Sequence, residues 1–165
     1  ADVPAPPEIG PRELRIRVAA TALNRADLLQ RNGLYPPPAG ASGILGLECA
    51  GEVSAVGADV QAWRPGDRVM ALLPGGGYAE EAVVDAGSAM RVPASLSIEE
   101  AAALPETFLT AFSNLLELGA PPAGGTALVH GGSGGVGTAA IALGREAGVS
   151  VIVTAGGPDR CRRCE

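Results

Sequence analysis

The densest chemical signal in the chain is Gly132-Ser133-Gly134-Gly135-Val136-Gly137, in which Gly132, Gly134 and Gly137 satisfy G-x-G-x-x-G. Between a strand and a helix, this spacing provides a tight turn at the first glycine and close pyrophosphate approach at the second. The third lets helix and strand pack closely, and exposed amides at the helix start meet the phosphate charge. Small-residue turns also arise from packing alone, so the flanking elements decide. A P-loop is disfavoured, because no Gly-Lys-Ser/Thr ending is present. An NAD site places an acid about 20 residues beyond the turn, on the ribose hydroxyls. Here that position falls in Val153-Thr154-Ala155-Gly156-Gly157, followed by Arg160, Arg162 and Arg163. An arginine fork suits a 2′-phosphate, so NADPH is expected over NADH, with Gly156, Gly157 and Arg160 added to the glycine-turn contacts. The bland alternative is a charged helix terminus, with Asp159 blunting the attraction.

Other reactive side chains carry less. His130 ends the apolar run beside the glycine turn and reads as structural. Cys161-Arg-Arg-Cys164 has ligand-like spacing but no second pair or histidine, and Cys49 stands apart, so no metal site is expected. No Ser-His-Asp or Cys-His arrangement can be defended from this order.

The elements that must position these groups change character along the chain. Leu14–Val18 alternates apolar and charged residues, as a half-buried strand does. Asn24 to Gly33 reads as a short helix or turn with Leu28 and Leu29 as its apolar face, stopped by Pro36-Pro37-Pro38. Runs at Leu45–Val56, Arg68–Leu73 and Tyr78–Val84, separated by Gly/Pro turns, predict a small β-barrel. Ser97 and Glu100 form a capping-box pattern. Pro105 interrupts the helix that follows, and Phe108–Leu118 resumes it. Strand Thr126–His130, helix Gly135–Glu146 and strand Ser150–Thr154 then start a parallel βαβ unit. The fold class is therefore mixed α/β. Residues 1–96 form the barrel, 97–123 a helical connector and 124–165 the start of the nucleotide-binding domain, expected to be incomplete because its glycine turn falls so late.

Of the 165 residues 47% are apolar but only 3% aromatic, so small aliphatic side chains must fill the core. A net charge of −6 argues against nucleic-acid binding, which needs clustered positive charge. No apolar run reaches membrane-spanning length and no signal-peptide pattern opens the chain, so a cytoplasmic protein without a membrane partner is expected.

Together, several segments make the chain similar to the zinc-free quinone oxidoreductase branch of the medium-chain dehydrogenase/reductase superfamily. They are Ala22-Leu-Asn-Arg-Ala-Asp-Leu-Leu-Gln-Arg31, Gly46-Leu-Glu48, Gly51, Gly66-Asp-Arg-Val69, Ala71–Glu80, Leu104-Pro105, Thr110-Ala111 and the glycine turn. The chain also resembles the tumour-suppressor-inducible quinone oxidoreductases. The resemblance implies a GroES-like β-barrel, its opening strand missing, followed by an incomplete Rossmann domain, with substrate and nicotinamide meeting in the cleft between them. It implies NADPH-dependent reduction of quinones or related conjugated carbonyls, and a homodimer at full length. It places Asn24 beside the nicotinamide, hydrogen-bonding the cofactor or a substrate carbonyl. Tyr35 faces the same cleft, where it could donate to a developing oxyanion. Thr110 is a candidate for the cofactor phosphates. Asp27 is placed to order the helix near Asn24, and Glu48 to support the cleft without acting as a base. Zinc-dependent relatives carry a cysteine in the Leu23-Asn24 region and a histidine where Leu47 stands; neither is present.

Two alternatives remain open at this level. An enoyl-thioester or alkenal reductase would use the same hydride and nearly the same cleft. A catalytically silent dinucleotide-binding or structural fragment would explain a chain that stops just after the second strand of its βαβ unit, with exposed sheet edges.

Overall fold

The computed structural model describes Pro6 and residues 8–165, in two compact units that divide between Glu106 and Thr107. The opening residues, on which the expectation that the barrel's first strand is missing bears, lie outside the described residues.

The first unit is built on a five-stranded antiparallel sheet in the order β4-β1-β2-β3-β5. Its strands are β1 (Glu13–Ala20), β2 (Glu48–Val56), β3 (Arg68–Leu72), β4 (Glu81–Asp85) and β5 (Ala89–Arg91). Alternation sets the faces: Leu14 and Ile16 of β1 are fully buried, as are Val69 and Ala71 of β3. They pack with Cys49, Val53 and Val84 around Trp63 in an aliphatic core. The sheet is an open half-barrel, with β4 and β5 at its edges. Helix α1 (Arg25–Arg31) leaves the end of β1, and α2 (Ile98–Ala101) is closed by the Ser97–Glu100 capping box.

Two local expectations change. The buried residue of α1 is Asp27, while Leu28 is exposed and Leu29 half-buried. Polar partners, rather than an apolar stripe, hold this short helix down. Tyr78 lies in a turn before β4, because Gly77 and Tyr78 hydrogen-bond back to Gly46 and Leu45 instead of joining a strand ladder.

The boundary between units falls inside α3 (Pro105–Phe112). Pro105 starts this helix, where its missing N–H costs nothing. A π-helical segment, Ser113–Leu118, follows. In the second unit β6 (Thr126–His130) and β7 (Ser150–Thr154) pair in parallel, joined through α4 (Gly135–Glu146); α5 (Pro158–Arg162) follows β7. Ala139 and Ala140 of α4 pack with Ala111, Leu115, Ala127 and Val129. The opposite sheet face is uncovered: Leu128 and Ile152, paired in register, are 61% and 58% exposed.

Candidate functional site

In the first unit, polar side chains converge where β1, β2 and the starts of α1 and α3 come together. Asn24 precedes α1, and its backbone N–H donates to Asp27 Oδ2 at 2.7 Å. The Asp27 carboxylate thus satisfies the start of its own helix and fixes where Asn24 sits. The Asn24 side chain also reaches β2: Nδ2 donates to Glu48 Oε1 at 2.7 Å. Glu48, first residue of β2 and 1% exposed, takes a second donor at Oε2, the backbone N–H of Glu106 at 2.9 Å. Thr21 Oγ1 donates to the Glu48 carbonyl at 2.7 Å.

Burial disfavours the charged form of Glu48 and raises its pKa, against the lowering effect of the Glu106 and Asn24 bonds; Glu106 and Asp27 add like-charge repulsion. Next to it, burial pushes the Cys49 thiol up to about 12, and the Glu48 charge adds to the shift. Such a thiol stays protonated and is a poor nucleophile or ligand. The Tyr78 phenol is likewise pushed up to about 12, by burial first and then by Asp27. Tyr35, beyond α1 and the left-handed Gly33, is exposed.

In the second unit, the turn between β6 and α4 divides its glycines by task. Gly131, at φ 78°, is the residue that turns the chain; sequence spacing assigns that job to Gly132. Gly132 is needed for a different reason, since a Cβ there would lie 2.5 Å from the Val153 side chain on β7. Gly137 packs α4 onto the turn, where a Cβ would come within 2.4 Å of the Gly131 carbonyl oxygen. Gly132 and Gly137 are buried, whereas Gly134, Gly135 and Val136 are exposed and Ser133 is half-buried. The first-turn amides of α4, at Gly135 and Val136, have no intrahelical acceptor by geometry. An exposed glycine strip at a helix N-terminus fits a pyrophosphate.

The α3 residue that meets this turn is Thr107, whose methyl would lie 2.8 Å from a Cβ on Gly135; Thr110 lies about one helical turn further on and its carbonyl accepts from Asn114. His130 Nδ1 and Thr154 Oγ1 are 3.0 Å apart at paired strand ends, a structural link between β6 and β7. Past β7, the Arg160 guanidinium reaches back to Gly156, within 3.5 Å of where its Cβ would be. Asp159 pairs with Arg162, so the cation that leans toward the strand end is Arg160. Gly157 is left-handed at φ 122°. These residues suit a phosphorylated dinucleotide.

A curled antiparallel half-barrel followed by a glycine-turn βαβ unit defines the class of medium-chain dehydrogenase/reductase proteins. Residues 10–94 match the alcohol dehydrogenase GroES-like domain, and the chain belongs to that family. It is 44% identical over 155 residues to erythronolide synthase EryA2 of Saccharopolyspora erythraea, covering 94% of this chain but 4% of that protein. The crystal structure of CurK enoyl reductase superposes with a TM-score of 0.84 at 34% identity, covering 98% of this chain and 51% of that one. The Escherichia coli quinone oxidoreductase complexed with NADPH gives a TM-score of 0.83 at 33% identity, over 99% and 50%. The chain thus spans about half the length of these solved relatives and a small part of the curated synthase.

Proposed function

We propose that the chain is part of an NADPH-dependent enoyl reductase that acts on α,β-unsaturated thioesters within a polyketide synthase. The observation that carries this reading is 44% identity to a polyketide synthase along 94% of the chain, with an enoyl reductase among the superposing structures. NADPH, when bound, supplies a hydride to the β-carbon of the enoyl thioester, and a proton at the α-carbon completes the reduction. The chain's own residues bind and orient. The turn at Gly132–Gly137 holds the pyrophosphate and Arg160 the 2′-phosphate. Asn24, fixed at both backbone and side chain, accepts from a cofactor N–H at Oδ1 or donates its remaining Nδ2 hydrogen to the thioester carbonyl. Tyr35 donates to the developing enolate oxygen, and solvent can supply the α-proton.

Quinone reduction is the second reading, favoured by the superposition on the E. coli quinone oxidoreductase. Assaying the full-length protein with NADPH against an enoyl thioester and a quinone in parallel separates the two. Higher kcat/KM for the thioester is expected; turnover of the quinone alone would reverse the assignment.

A further inference from the structure

We infer that Glu48 is a positioning residue which sets the direction of the Asn24 amide, presenting Asn24 Oδ1 away from Glu48 as an acceptor. The inference rests on the reductase reading for its consequence in turnover, but its geometry stands alone. An ionised carboxylate can only accept hydrogen bonds, so the Asn24 atom facing it at 2.7 Å must be the Nδ2 donor. The backbone of the same residue is held by Asp27, which leaves the amide little freedom beyond a flip about its last torsion. The second Glu48 oxygen is occupied by the Glu106 N–H at the start of α3, so the carboxylate cannot turn to release Asn24 without also breaking that bond. A buried carboxylate is costly, and a leucine would fill the space without that cost. Placing an acceptor-only group beside an asparagine fixes which end of the amide faces away from it.

Protonation of Glu48 changes this. A carboxylic acid donates its O–H to Asn24 Oδ1 and favours the flipped amide. The ionisable groups acting on Glu48 are Asp27 from α1 and Glu106 from α3, both negative. Cys49, beside it on β2, and Tyr78, in the turn before β4, both feel its charge while their own acidity is suppressed.

The test uses Glu48→Gln in the full-length protein. A glutamine can accept from Glu106 N–H only by turning its own NH2 toward Asn24, which demands the flipped amide. We expect kcat to fall about tenfold or more with both enoyl thioester and quinone acceptors, while KM for the acceptor stays within about threefold. Wild-type kcat should decline as acid protonates Glu48, and the variant should lose that limb. A purely structural Glu48 would lower the melting temperature and leave kcat and the pH profile alone, which overturns the inference. A second arm needs no Glu48 variant and no turnover: 15N-asparagine labelling of the chain, with Asn24 assigned through Asn24→Asp. The Asn24 side-chain amide signals should titrate with Glu48; signals that stay fixed through that titration overturn the inference even if neither acceptor is reduced. Absence of thioester turnover by the wild-type protein, with the amide titration intact, would instead reject the enoyl reductase reading.

Discussion

At the scale of single residues, the acids of the first unit carry most of the candidate chemistry. Because burial raises the Glu48 pKa, the folded protein holds its proton to higher pH than the unfolded chain does. Its contribution to stability is therefore full below the unfolded carboxyl pKa and is lost as pH rises through the folded one. Urea midpoints measured upward from acid pH should show this loss in the wild type and a flatter curve in Glu48→Gln; parallel curves would contradict the assignment. The cysteines offer a second check. A thiol reagent should modify Cys161, which is exposed, in the native protein, whereas Cys49 should react only after denaturation. Asn24 and Glu48 are conspicuous in the sequence as residue types near matching family segments, yet their mutual bond is not. Nothing in a spacing of 24 residues says that an asparagine amide meets that carboxylate, because the meeting depends on how β1 pairs with β2. The role of Asp27 at the helix start was expected, but its burial was hidden for a related reason: periodicity favours Leu28 and Leu29 as the buried face, and a carboxylate that satisfies a helix start leaves no apolar pattern.

At the scale of elements, the β6–α4–β7 unit was legible almost to the residue, since apolar runs bounded by glycines fix both strand ends and the helix start. The distribution of labour within the turn was not. G-x-G-x-x-G marks Gly132 as the turning residue, but the left-handed conformation belongs to Gly131, and only the proximity of Val153 explains Gly132. Gly137→Ala should destabilise the second unit by about 1–3 kcal/mol, because its Cβ would overlap the Gly131 carbonyl rather than a side chain that can move. Glycines of the first unit provide a paired comparison. Gly46 (φ 106°) and Gly66 (φ 91°) are both left-handed, but a Cβ on Gly46 would lie 2.6 Å from the Tyr78 backbone nitrogen, while one on Gly66 meets nothing within 4 Å. Alanine at Gly66 should cost about 1–2 kcal/mol of backbone strain, and alanine at Gly46 clearly more. Equal melting temperatures for the two variants would contradict this.

At the scale of the whole molecule, family membership was readable from segments spread along the chain, whereas substrate was not. Quinones and enoyl thioesters accept the same hydride, and no residue among Ala22–Asn24 distinguishes them, so similarity to polyketide synthases carries that distinction. The uncovered face at Leu128 and Ile152 also belongs to this scale, since parallel strands are ordinarily buried on both faces. Cofactor preference can be examined at the other end of β7. Replacing Arg160 with alanine should weaken NADPH binding by about tenfold or more and leave NADH binding nearly unchanged; an unaltered preference would remove Arg160 from the 2′-phosphate site.

The central claim is tested most directly by following the hydride itself. The full-length protein, given NADPH deuterated at C4 and an α,β-unsaturated acyl thioester, should yield a saturated thioester with deuterium at the β-carbon, read by mass spectrometry. Unreduced thioester, recovered under conditions in which the same preparation oxidises NADPH with a quinone, would contradict the account.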